Sequence, residues 1–147
     1  MAIDKRLVTR KLALIIGDMA DLARLARMER AEFLKNRTHQ LVAERLLERV
    51  IGRMIDVNYH VITERDGVPP RDFHPSFTRL GTLGVLSVDL AQALAPAAGL
   101  RNRLAHEYNE IDYGKLHAAL AEAETNVPRY LEAMERFTSE VKDEPPA

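Results

Sequence analysis

A chain of 147 residues, 46% of them hydrophobic, has room for one domain with a substantial core and too little for two. It has no cysteine, which excludes disulfides and thiolate metal sites, and its 21 Lys and Arg against 22 Asp and Glu exclude coating of nucleic acid by bulk charge. The balance hides a gradient, because residues 1–53 hold 12 basic and 7 acidic side chains whereas residues 109–147 hold 4 and 9. A basic first third suits phosphate contacts; solvated helix faces pairing with an acidic last helix explain the same gradient.

We take residues 1–141 as a single domain and residues 142–147, KDEPPA, as a flexible tail. The N-terminus places basic residues before an apolar run, as a signal peptide does. Gly17, Asp18 and Asp21 break that run, and it continues as an amphipathic helix, so neither a secretory nor a transmembrane segment is expected. The expected location is cytoplasmic.

In chain order, Leu7, Leu14, Ile15, Met19, Leu22, Leu25 and Ala26 recur at three- and four-residue spacings and predict a long helix from Arg6 to Leu34, bending near Met28. Asp4 is its expected N-cap. Lys35 to Thr38 read as a turn. A second long helix is expected from His39 to Thr63, with Leu41, Val42, Leu46, Val50, Met54, Val57 and Val61 on its apolar side. Along another side runs a row at four-residue spacing, Glu44, Glu48, Gly52, Asp56, His60 and Glu64. Gly52 within it reads as a place where another helix approaches closely. Asp56 and His60 have the spacing of a metal half-site, but a metal needs more ligands than two, and a structural pair is the simpler reading.

Residues 65–75 are loop by their Gly and Pro content, and a short helix should follow from Ser76 to Thr82. Gly81 and Gly84 interrupt, Ser87 caps the next helix, and Pro96 and Gly99 impose a break between Leu94 and Gly99. A final helix is expected from Asp112 through Phe137, kinked at Pro128. No stretch alternates as a strand does. The expected architecture is all-α, an up-and-down bundle of four to five helices.

After the break comes LRNRLAHEY, residues 100–108. Arg101 offers a permanently charged, planar fork of donors to phosphate oxygens, and His106 exchanges a proton near neutrality. Those are the two tasks of phosphodiester cleavage without a metal. On an ideal helix Arg101 and His106 lie about 140° apart, whereas Asn102 and His106 share a face, as do Arg101 and Tyr108. A compact dyad within one helix therefore requires distortion at Pro96 and Gly99, or completion of the site by a second copy of the chain. Arg103 reads as an exposed partner of Glu107, and Tyr113 and His117 as surface or interface residues.

The set Arg101, Asn102, His106 and Tyr108 resembles the signature of the HEPN superfamily, and within it the HepT-like toxins: Arg followed by a polar residue, His after four to six residues, then any residue and Tyr. The resemblance runs from Lys11 to Phe137 and includes IDVNYHVI at 55–62, which sets the Asp56 and His60 seam beside the expected groove. Ala105 departs from it, standing where a larger apolar residue is frequent. The resemblance implies a homodimer whose motif helices face each other across a cleft, and a metal-independent endoribonuclease with Arg101 and His106 catalytic and Asn102 and Tyr108 supporting. It implies no cofactor, an RNA substrate that includes tRNA, and neutralisation by a minimal nucleotidyltransferase antitoxin, MntA, that transfers AMP to Tyr108. A different class of function, a non-catalytic helical dimer that binds a nucleotide or a nucleotidyltransferase, leaves a titrating His at position 106 unexplained. A metal enzyme built on Asp56 and His60 is the weakest alternative.

Overall fold

The computed structural model describes residues 2–106 and 110–141. These form seven helices and no strand: α1 (Lys5–Ala26), α2 (Arg30–Lys35), α3 (Arg37–Asp66), α4 (Phe73–Thr82), α5 (Val88–Leu94), α6 (Ala97–His106) and α7 (Tyr113–Glu140). The count exceeds the expected four to five because both predicted interruptions are complete breaks. The first predicted helix ends at Ala26 and restarts at Arg30, and the segment around Pro96 separates α5 from α6. The expected tail, residues 142–147, lies outside the described residues.

Helix ends follow local chemistry. Asp4 accepts the Leu7 amide at 3.0 Å, Asn36 that of His39 at 2.9 Å, and Ser87 that of Leu90 at 3.2 Å. Asp112 accepts the amides of Gly114 and Lys115. Gly67 closes α3 in the left-handed region, with φ of 78°, which a side chain would disfavour. The fourth helix begins at Phe73 under an Asp72 cap, three residues before the expected Ser76, because Pro75 falls in its first turn, where an amide donor has no partner to lose. Pro128 lies inside α7 for the same sequence reason that predicted a kink, and the helix runs through it.

Three long helices make the frame. α1 packs along both α3 and α7, and α2 bridges the same two. The short helices α4, α5 and α6 pack on this frame and on one another, with α6 lying against α3 and α4. The core draws on all seven, including Ile15 and Leu22 from α1, Phe33 from α2, Val50 and Met54 from α3, Phe77 from α4, Leu94 from α5, Leu104 from α6, and Leu120 and Met134 from α7. A buried polar relay ties three of them together. The Tyr130 hydroxyl donates to Asn58 Oδ1 at 2.7 Å, Asn58 Nδ2 donates to Ser76 Oγ at 3.3 Å, and Ser76 Oγ donates to the Phe73 carbonyl at 2.6 Å. Burial raises the Tyr130 phenol well above its ordinary range.

The predicted apolar faces need correction at three positions. Leu14 on α1 and Leu41 and Val42 on α3 are exposed, while Val8, Leu12, Ala43, Leu47, Ile51, Ile55 and Ile62 are buried. α3 is contacted by α1, α2, α4, α6 and α7, so it buries more than one face and no single stripe describes it. Among the described residues no helix is long and apolar enough to cross a membrane.

Candidate functional site

α6 runs between two cavities. On one side, a cavity of about 480 Å³ is lined mostly by apolar residues of α3 and α7 together with Leu100 and Leu104 of α6. On the other, a smaller cleft of about 320 Å³ is lined by Lys11 of α1, Arg45, Glu48, Arg49, Gly52, Arg53, Ile55 and Asp56 of α3, Phe73 of α4, and Arg101 of α6. The helical rotation explains the division. Arg101 turns into the charged cleft, and Arg103, two residues on, lines the apolar cavity.

Arg101 is half-buried, its guanidinium carbon 5.5 Å from the centre of the Phe73 ring. A cation over an aromatic face is attracted by the ring quadrupole, which fixes the side chain without neutralising it. Its Nε is buried and has no hydrogen-bond partner. Asn102 and His106 are exposed, and His106 is the last residue of α6. Arg101 and His106 thus lie five residues apart on one continuous helix, and the break at Pro96 comes too early to bring them to one face. Tyr108 and Glu107 lie outside the described residues.

The seam of α3 meets the cleft through Glu48, Gly52 and Asp56. Gly52 does not serve close helix packing, as the sequence suggested: a Cβ placed there would meet nothing within 4 Å. The close approach is instead at Gly81, where a Cβ would stand 2.9 Å from that of Ala91. Asp56 and His60 each hold the start of α1. Lys11 Nζ donates to Asp56 Oδ2 at 3.0 Å, and the Asp4 amide donates to His60 Nε2 at 2.8 Å. Among the described residues no three His, Asp or Glu side chains gather as a metal site. Tyr113 and His117 also join helices: the Tyr113 hydroxyl donates to Glu44 at 3.4 Å, and His117 Nε2 donates to the Met28 carbonyl at 2.8 Å while its ring packs on Phe33.

Sequence reasoning passed over Asp18, Arg49 and Arg53. Asp18 is almost buried on α1, and its Oδ2 accepts from Arg53 Nη1 at 2.6 Å and pairs with Arg49 Nε at 3.2 Å. The signal was present, since Asp18 lies three residues after the buried Ile15 and four before the buried Leu22, and Arg45, Arg49 and Arg53 repeat every four residues.

The profile of the Ribonuclease HepT-like family matches residues 8–136. The chain belongs to the HepT-like ribonuclease family. It is 29% identical to the tRNA nuclease HepT of Aphanizomenon flos-aquae (strain 2012/KM1/D3) over 143 residues, 97% of each chain. Several solved structures share the fold, among them two that span most of the chain. One is the tri-AMPylated HEPN toxin of Shewanella oneidensis in complex with an MNT antitoxin, with a TM-score of 0.78 at 19% identity, covering 88% of this chain and 97% of that one. The other is the cytosolic protein YutE of Bacillus subtilis, of unknown function, with a TM-score of 0.77 at 17% identity, covering 93% and 92%. The HepT-like assignment makes ribonuclease the enzyme class that the geometry has to serve.

Proposed function

We propose that this HepT-like chain, with residues 1–141 as one domain, is a metal-independent endoribonuclease toxin that acts as a homodimer on RNA, tRNA included. The observation that carries this reading is Arg101: a cation held on Phe73, with a buried and unpartnered Nε, in a cleft rich in other cations. On this reading the ribose 2′-hydroxyl attacks the adjacent phosphorus and the 5′-oxygen leaves, giving a 2′,3′-cyclic phosphate and a free 5′-hydroxyl. His106 takes the 2′-hydroxyl proton or returns one to the 5′-oxygen, a contribution of roughly 10² to 10⁴ in rate. Arg101 stabilises charge on the phosphoryl oxygens. The angle of about 140° between Arg101 and His106 on α6 supports a shared site, in which two α6 helices related by a two-fold axis supply both groups to one groove. Asn102, on the His106 face, orients the imidazole or a phosphate.

Control by a nucleotidyltransferase of the MntA type is part of the proposal, supported by the antitoxin complex of the Shewanella oneidensis relative. The Tyr108 phenol would attack the α-phosphorus of ATP, pyrophosphate would leave, and the added AMP would repel RNA by charge and bulk.

The second reading, a non-catalytic dimer that binds a nucleotide or the transferase, has the cavity of about 480 Å³ in its favour, since that volume falls within the range of small-molecule sites. One experiment separates the two: cleavage of total RNA and tRNA in EDTA by the wild type and by His106→Ala, with end-group analysis. Cyclic phosphate ends lost in the variant support the ribonuclease. Intact RNA with both proteins, when intact mass finds no AMP on Tyr108, favours the binding module.

A further inference from the structure

We infer that the cleft between α1 and α3 is a track for the phosphates of a single RNA strand, with Arg49 and Arg53 as its fixed points and Asp18 as the residue that positions them. The inference rests on the ribonuclease reading and names where that substrate lies beyond the scissile bond.

Five cations line the cleft, Lys11, Arg45, Arg49, Arg53 and Arg101, with two carboxylates among them. Both carboxylates have partners: Asp56 takes Lys11 at 3.0 Å, and Glu48 takes Arg45 at 3.6 Å. Arg49, Arg53 and Arg101 form the surplus, and among the described residues the first two pair with Asp18 behind them. That arrangement leaves donors free. Arg49 meets Asp18 through Nε and Arg53 through Nη1, so the other nitrogens of each fork remain for phosphate oxygens. Asp18 is only 8% exposed, which places the anion under the arginines rather than in the path of a ligand. Side chains already held in place lose less freedom on binding than free ones.

The spacing suits a strand. Residues 45, 49 and 53 climb α3 at intervals of about 6 Å, a regular file of cations like the regular file of phosphates in an extended backbone. Gly52 adds no side chain to the floor, and nothing stands within 4 Å of where its Cβ would be. Phe73 at the Arg101 end offers a ring, and an aromatic beside a cationic groove is the combination that binds single-stranded nucleic acid.

The test measures RNA binding in the His106→Ala background, so that the probe stays intact. The triple variant Asp18→Asn, Arg49→Gln, Arg53→Gln removes the clamp without stranding a buried charge. Arg129→Gln on α7, whose side chain donates to Asn126 at 3.4 Å, makes the same change in net charge outside the cleft. Binding of a fluorescent single-stranded RNA and of tRNA is followed by anisotropy between about 50 and 200 mM salt. The triple variant is expected to bind about tenfold more weakly and to lower the slope of log affinity against log salt by about 1.4, two contacts' worth, while Arg129→Gln leaves the slope in place. Equal effects of the two substitutions, or none from the triple variant, overturn the track. Should the triple variant melt early, Arg49→Gln alone, which leaves Asp18 paired with Arg53, is measured in its place and must lower the slope by about 0.7. Failure of the ribonuclease reading shows separately, as wild-type protein carrying no AMP on Tyr108 that leaves RNA whole; arginine-dependent binding by such protein with no cleavage would keep the track and discard the enzyme.

Discussion

The two cavities flanking α6 differ in the way that matters for function. The larger is walled by Leu47, Val50, Met54 and Leu116, with its charged groups at the rim; the smaller is built from cations whose positions are fixed by neighbours. By volume alone the apolar cavity is the better small-molecule site. A polyanion follows charge, and the charged cleft is the one that Arg101 enters. On α6, Arg101 thus turns to the charged cleft and Arg103 to the apolar cavity, and substitutions at these two positions should separate cleanly.

The largest separation is expected between Arg101→Ala and Arg103→Ala. The first should slow RNA cleavage by roughly 10² to 10³, the scale for loss of one transition-state donor, while the second should stay within about twofold of the wild type. Initial rates on tRNA with matched thermal melts check this, and equal losses would remove the distinction between the faces.

A smaller effect is expected in stability, where the half-buried pair under the cleft and an exposed pair outside it part company. Asp18→Ala strands Arg53, whose side chain is only 18% exposed, and should cost about 1 to 3 kcal/mol in denaturant unfolding. Asp21→Ala, which removes an exposed pair with Arg24, should be indistinguishable from the wild type.

Gly52→Ala should stabilise the protein by about 0.5 to 1 kcal/mol, because alanine favours the helix and meets no neighbour in the cleft. Gly81→Ala should do the opposite, since its Cβ would press on Ala91. Midpoints that move together would contradict the open floor.

The smallest effect is a pH dependence outside both cavities. Hydrogen bonds from Arg79 hold the Asp66 carboxyl below its usual value. The native pKa is the lower one, so the pair's contribution is present above the ordinary aspartate pKa and is lost as pH falls through the depressed value. Glu44 works in reverse: burial raises its pKa, so stability is recovered as pH falls through that raised value. Unfolding midpoints measured in acid should fall less steeply for Arg79→Gln than for the wild type.

Much of the frame was legible because caps and breaks are local. Asp4, Ser87 and Asp112 announced helix starts, and Pro96 announced the break before the motif, by chemistry that acts within a few residues. Exposure of Leu14, Leu41 and Val42 was not legible, since it depends on which partners surround α1 and α3. The motif itself was readable as residues and not as a site. Spacing showed that Arg101 and His106 diverge, but only the packed helices reveal that Arg101 faces the arginine row of α3. Asp18 was hidden for a related reason: among charged residues, burial against two arginines 31 and 35 positions away leaves no local pattern beyond an acid in an apolar stripe.

The central claim is that RNA lies in the charged cleft. The most direct measurement is photocrosslinking of a thiouridine-substituted single-stranded RNA to intact His106→Ala protein, with crosslinked peptides located by mass spectrometry. Crosslinks on the α3 segment 45–56 and around Phe73 are the predicted result. Crosslinks concentrated on α7 between residues 116 and 127, along the apolar cavity, would contradict it.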